Sequence, residues 1–109
     1  MKKEDIVKNN REFNNIIQNG MYKKNNEFVI YYLDNELDHS RFGISVSKKI
    51  GNAVTRNYYK RIIRNICHKN KNLYSKGKDY IIIMRKGLTL LKFDEVNNSF
   101  IDLINKINK

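Results

Sequence analysis

Arg56, Lys60 and Arg64 recur at intervals of four residues, and on a helix that spacing stacks three cations into one ridge. Lys49, Asn57 and Arg61 stand close by in the chain. These side chains suit phosphate, because arginine offers a planar fork of donors and lysine a compact, hydrated charge. Asn57 adds a donor and an acceptor fit for a ribose hydroxyl, a base edge or a metal-bound water. Like charges at this spacing repel one another, and no acid lies between Ala53 and His68 to relieve them. Phosphates that neutralise the ridge in a bound state account for its persistence.

The same region lacks the groups for hydrolysis. Cleaving a phosphodiester requires a placed general acid and base, or carboxylates that hold a metal. The acids elsewhere form no close cluster along the chain, and neither zinc-ligand spacing nor a glycine-rich phosphate loop occurs. Cys67 and His68 are adjacent, so on a helix they do not converge on one site. No catalytic residue and no metal ligand is assigned, which leaves binding chemistry.

The 109-residue chain carries a net charge of +11, and that points to a polyanionic partner. No acid occurs between Asp38 and Asp79, a stretch that holds Arg41, Lys48, Lys49, Arg56, Lys60, Arg61, Arg64, Lys69, Lys71, Lys76 and Lys78. These 11 cations equal the whole net charge, because the other 11 basic residues balance 11 acids. A merely solvated surface would mix its signs, so the one-sign stretch reads as a binding face. A basic amphipathic helix can also lie on anionic lipid. Here its apolar side is expected to serve the core, which favours nucleic acid.

Hydrophobic periodicity sets out the elements that position these residues. Arg11 to Gln18 reads as a short helix stopped by Gly20, with Phe13, Ile16 and Ile17 on one side. Glu27 to Leu33 reads as a strand. Arg41 to Ser47 alternates Phe42, Ile44 and Val46 with Arg41, Gly43, Ser45 and Ser47, giving one apolar face and one small, polar face. Asn52 is placed to cap the helix Ala53 to His68. Its wheel sets Val54, Tyr58, Tyr59, Ile62, Ile63 and Ile66 on the side opposite the cations. A basic loop, Lys69 to Lys78, leads to Tyr80 to Met84, an apolar strand of the kind buried on both faces. Phe93, Val96, Phe100, Leu103, Ile104 and Ile107 mark a last helix. The order α-β-β-α-β-α predicts one sheet with helices packed against it, in a single domain over residues 1–109.

A lone cysteine, Cys67, permits no internal disulfide and fits a reducing cytoplasm. Met1 to Asp5 is basic and then acidic, so it does not read as a signal peptide. The longest apolar run, Ile81 to Met84 with Tyr80 before it, is too short to span a membrane.

The run from Arg41 to Arg64 closely resembles the signature of the bacterial ribonuclease P protein family. Lys49, Gly51, Ala53, Val54, Arg56, Asn57, Lys60, Arg61 and Arg64 match its pattern in order and spacing. Phe13, Phe28 to Tyr31 and Lys78 to Ile83 extend the likeness over nearly the whole chain. The resemblance implies an α/β (α+β) two-layer sandwich with one small mixed sheet and a left-handed βαβ crossover. It implies that Lys49, Arg56, Asn57, Lys60, Arg61 and Arg64 bind a catalytic RNA. It also implies that a separate cleft holds the single-stranded 5′ leader of precursor tRNA. Phe13 and Tyr31 would stack on leader bases there, and Ser45, Ser47 and Lys48 would line the same cleft. Mg2+ would be held mainly by RNA, with no organic cofactor, no membrane and no obligate protein partner. Two departures stand out: Tyr58 replaces the last residue of an Arg-Asn-Arg motif, and Ile17 stands where many relatives carry an aromatic. A ribosomal or other structural RNA-binding protein shares the charge but does not explain the central motif.

Overall fold

The computed structural model describes residues 6–7 and 9–108; Met1 to Asp5, read above for a targeting signal, lies outside the described residues. Helix α1 (Asn10–Asn19) begins where Asn9 Oδ1 accepts from the Glu12 amide at 2.8 Å, and ends where the Gly20 N–H donates to Ile16 O at 2.8 Å. A Cβ at Gly20 would stand 2.5 Å from Ile16 O and 2.6 Å from Tyr32 O, so glycine alone fits this turn.

The chain then enters a strand that periodicity did not signal, β1 (Met21–Lys24). All four residues are exposed, and an edge strand with no core-facing side chain shows no hydrophobic alternation. Strands β2 (Phe28–Asp34), β3 (Arg41–Ser45) and β4 (Lys78–Met84) complete a sheet in the order β1-β2-β4-β3. The β3–β4 pair is parallel and the other two pairs are antiparallel. Helix α2 (Ala53–Lys69) connects β3 to β4, and Asn52 caps it by accepting from the Thr55 amide at 2.9 Å. Helix α3 (Phe93–Ile107) follows β4. Three helices on a mixed sheet make an α+β fold.

Alternate residues of β2 and β4 serve two cores. Phe28, Ile30, Tyr32, Tyr80, Ile82 and Met84 meet α2 and α3 through Ile63, Ile66, Phe100, Leu103 and Ile104. On the other face Ile81 packs with Val7 and Ile16, and Phe13, Ile17, Tyr31, Leu33 and Ile83 line the margin. The sheet, α2 and α3 are the sandwich, and α1 lies on the opposite face. Tyr80, Ile81 and Ile82 are fully buried, as a two-sided strand requires.

Helix α2 enters the core obliquely, and this corrects the wheel. Along the stripe Val54, Tyr58, Ile62, Ile66, exposure falls from 78% through 53% and half-burial to zero. Val54 and Tyr58 are thus surface residues, whereas Tyr59 and Ile62 already pack against the core. Arg56 and Lys60 sit two turns before Ile63 and Cys67, on the same sides of the helix, yet Ile63 and Cys67 are fully buried. Phe93, at the first turn of α3, is likewise exposed.

Candidate nucleic-acid interface

Strand register lays three rows across the α1 face of the sheet. They are Leu33, Asp79 and Arg41; then Tyr22, Tyr31, Ile81 and Gly43; then Lys24, Val29, Ile83 and Ser45. Phe13, Ile16 and Glu12 hold α1 over the first two rows. Val29, Ile83 and Ser45 in the third stay half-buried, so this row is an open floor beside the helix.

Phe13 owes its seat to Gly43. A Cβ at Gly43 would stand 2.5 Å from Phe13 Cε2 and 2.8 Å from Ile81 Cδ1. Phe13, Gly43 and Ile44 line a hollow of about 200 Å³, and Lys60 and Arg64 of α2 line it with them. The cationic helix and the aromatic cleft, expected as separate surfaces, therefore meet at this hollow. The oblique entry of α2 is the reason, since it carries the Lys60–Arg64 ridge along the β3 edge. Tyr31 is half-buried, and its ring lies 5.4 Å from that of Tyr22 across the β1–β2 pair.

Among the described residues, two of the 11 central cations are neutralised within the fold. Arg41 donates from Nε to Asp79 Oδ1 at 2.8 Å and from Nη2 to Asp79 Oδ2 at 2.6 Å, and its Nη1 pairs with Glu12 Oε2 at 2.7 Å. The hydrogen bonds to Asp79 raise the Arg41 pKa further above its ordinary value. Lys78 is bound to Asp34 at 2.6 Å, and that bond raises its pKa too. Among the described residues, none of Lys48, Lys49, Arg56, Lys60, Arg61 and Arg64 forms an ion pair. Asn57, Arg61, Arg64, Lys48 and Lys49 are exposed, while Arg56 and Lys60 are half-buried. The Arg56 Nε is buried with no hydrogen-bond partner among the described residues.

The expected polar face of β3 is shorter than its sequence pattern. The strand ends at Ser45, and Ser47 instead caps a 3₁₀ turn (Lys48–Ile50) by accepting from the Lys49 amide at 3.3 Å. Ser45 lies on the floor, whereas Ser47 and Lys48 lie beyond the end of the strand and are exposed. Cys67 is fully buried and His68 exposed, so the two diverge as expected. Burial pushes the Cys67 thiol up to about 12, which leaves no thiolate nucleophile near neutral pH. Sequence reasoning overlooked Tyr22, which no periodicity marked, and the seating role of Gly43. A glycine alternating with apolar residues in a strand was the available signal for close approach.

A family model described as Ribonuclease P matches residues 1–108. A ribonuclease P protein component from Mycoplasma mycoides subsp. mycoides SC is 45% identical over 108 residues, covering 98% of this chain and 99% of the relative. Another, from Bacillus mycoides, is 43% identical over 107 residues, covering 97% and 93%. A solved structure of a Staphylococcus aureus RNase P protein mutant with defective mRNA degradation activity matches with a TM-score of 0.89 at 36% identity, covering 97% of this chain and 90% of that one.

Proposed function

Because the chain belongs to the ribonuclease P protein family, and so to the ribonucleoprotein endonuclease that matures tRNA 5′ ends, we propose a division of labour over its surface. Helix α2 binds the catalytic RNA through Lys49, Arg56, Asn57, Lys60, Arg61 and Arg64. The 5′ leader of precursor tRNA crosses the open floor beside α1, stacking on Phe13 and Tyr31, with Ser45, Ser47 and Lys48 near its backbone. The observation that carries this reading is the shared hollow, which Lys60 and Arg64 line together with Phe13. A leader leaving the RNA-bound active site passes from the cations Lys60 and Arg64 to the aromatic Phe13 along one hollow.

The cleavage chemistry belongs to the RNA in this reading. The arginines and lysines of the interface offer a divalent cation no oxygen ligand, and among the described residues no group of three or more histidines, cysteines or carboxylates could hold one. The carboxylates Asp79 and Glu12 are committed to Arg41. Mg2+ is accordingly RNA-held, and the protein screens phosphates and positions the substrate. Among the described residues, no helix is long and apolar enough to cross a membrane, and the protein is proposed to act in the cytoplasm as a single RNA-binding domain. The ribosomal alternative is not favoured, because relatives named as ribonuclease P protein components match this chain over nearly their whole length.

The test is direct. The protein is mixed with catalytic RNA and precursor tRNA at low magnesium. Faster cleavage than with RNA alone, and tighter binding of substrates that retain a leader, are expected. If neither occurs, the reading is wrong.

A further inference from the structure

Tyr22 is a large, exposed aromatic on an edge strand, 55% accessible, and it makes no core contact. Among the described residues its aromatic neighbour is Tyr31, with ring centroids 5.4 Å apart and planes tilted by 39°. Both rings lie on the α1 face, in the row that continues through Ile81 to Gly43 and the seat of Phe13. Lys24 follows two residues along on the same face, beside Val29, exposed and, among the described residues, without an ion pair. A strand sets such neighbours about 7 Å apart, so a ring and a cation are offered in turn to an extended chain.

Ile17 of α1 is half-buried against the cluster of Val7, Ile16 and Ile81 and offers a base no flat surface. A flat surface is offered at the outer edge of the face, in the Tyr31–Tyr22 pair.

We propose that Tyr22 is a leader-binding residue, which extends the leader path across Tyr31 onto β1, with Lys24 meeting the backbone phosphate beyond it. The proposal rests on the leader-binding reading above and adds a base-stacking position to it. Stacking is tolerant of sequence because every base has a π-face, so this edge selects for leader length and not for leader sequence.

The experiment measures the affinity of the reconstituted holoenzyme for precursor tRNAs with progressively longer leaders, and for leaderless tRNA. Tyr22→Ala weakens binding of the longest leaders about five- to tenfold, roughly the worth of one stacked base. It leaves leaderless tRNA and the shortest leaders unchanged, Tyr22→Phe behaves as wild type, and Ile17→Phe partly restores Tyr22→Ala. The chain contains no tryptophan, so Tyr22→Trp supplies a unique indole whose fluorescence changes with long leaders only. A Tyr22→Ala profile that overlies wild type, or one lowered equally for every substrate, overturns the assignment of Tyr22. If wild type itself ignores leader length, the leader-binding reading fails first.

Discussion

The guanidinium of Arg41 lies fork-to-fork on the carboxylate of Asp79, with bonds of 2.8 and 2.6 Å between β3 and β4. Asp79 is 5% exposed, and the third donor of Arg41 reaches Glu12 on α1. One side chain drawn from the basic stretch thus ties the helix that carries Phe13 to the sheet that forms the floor.

Removing that side chain strands a buried charge. Arg41→Ala removes both guanidinium bonds to Asp79 and keeps the bond from the Asn35 amide, at 2.7 Å, and is expected to cost about 3 kcal/mol of stability in urea unfolding. Adding Asp79→Asn to that variant recovers part of the loss, because the stranded charge is gone.

Gly43→Ala tests the seat of Phe13. The new methyl group must push the ring or the Ile81 side chain aside, at about 1–3 kcal/mol in thermal or urea unfolding. Preference for leader-bearing substrate falls with it, while affinity for the catalytic RNA holds.

Charges already met inside the fold should not register in RNA binding. Arg64→Gln is expected to flatten the dependence of log Kd on log salt for catalytic RNA by about 0.7–0.9, one phosphate contact. Lys78→Gln, whose parent is bound to Asp34, leaves that slope unchanged.

Alkaline pH probes the core through Cys67. The native state keeps the thiol proton up to about 12, whereas an unfolded chain releases it above about 9. Between those values stability falls as pH rises, by about 1.4 kcal/mol per pH unit from this group. Cys67→Ala loses that contribution, so the gap between the two proteins narrows with rising pH in equilibrium unfolding. A gap that stays constant would show the thiol to be unshifted.

Much of this protein is legible in the chain itself. The cation ridge of α2, its Asn52 cap, the Gly20 stop, the two-sided β4 and the apolar repeat of α3 all rest on spacing within a few residues. Such patterns are local, so the sequence determines them directly. The motif around Arg56 and Asn57 identified the family by the same local means.

Tertiary structure decided what depends on residues far apart. Arg41 meets Asp79 across 38 positions and Lys78 meets Asp34 across 44, so no count of charge along the chain separates neutralised cations from available ones. A wheel gives direction around an axis but not how far the core reaches along it, which is why Val54 and Tyr58 stand exposed. The β1 strand has no buried side and therefore no period to read. Only strand order and the oblique entry of α2 bring Lys60 and Arg64 to Phe13, and Tyr22 to Tyr31. Side-chain chemistry was written in the sequence, and adjacency between elements was set by packing.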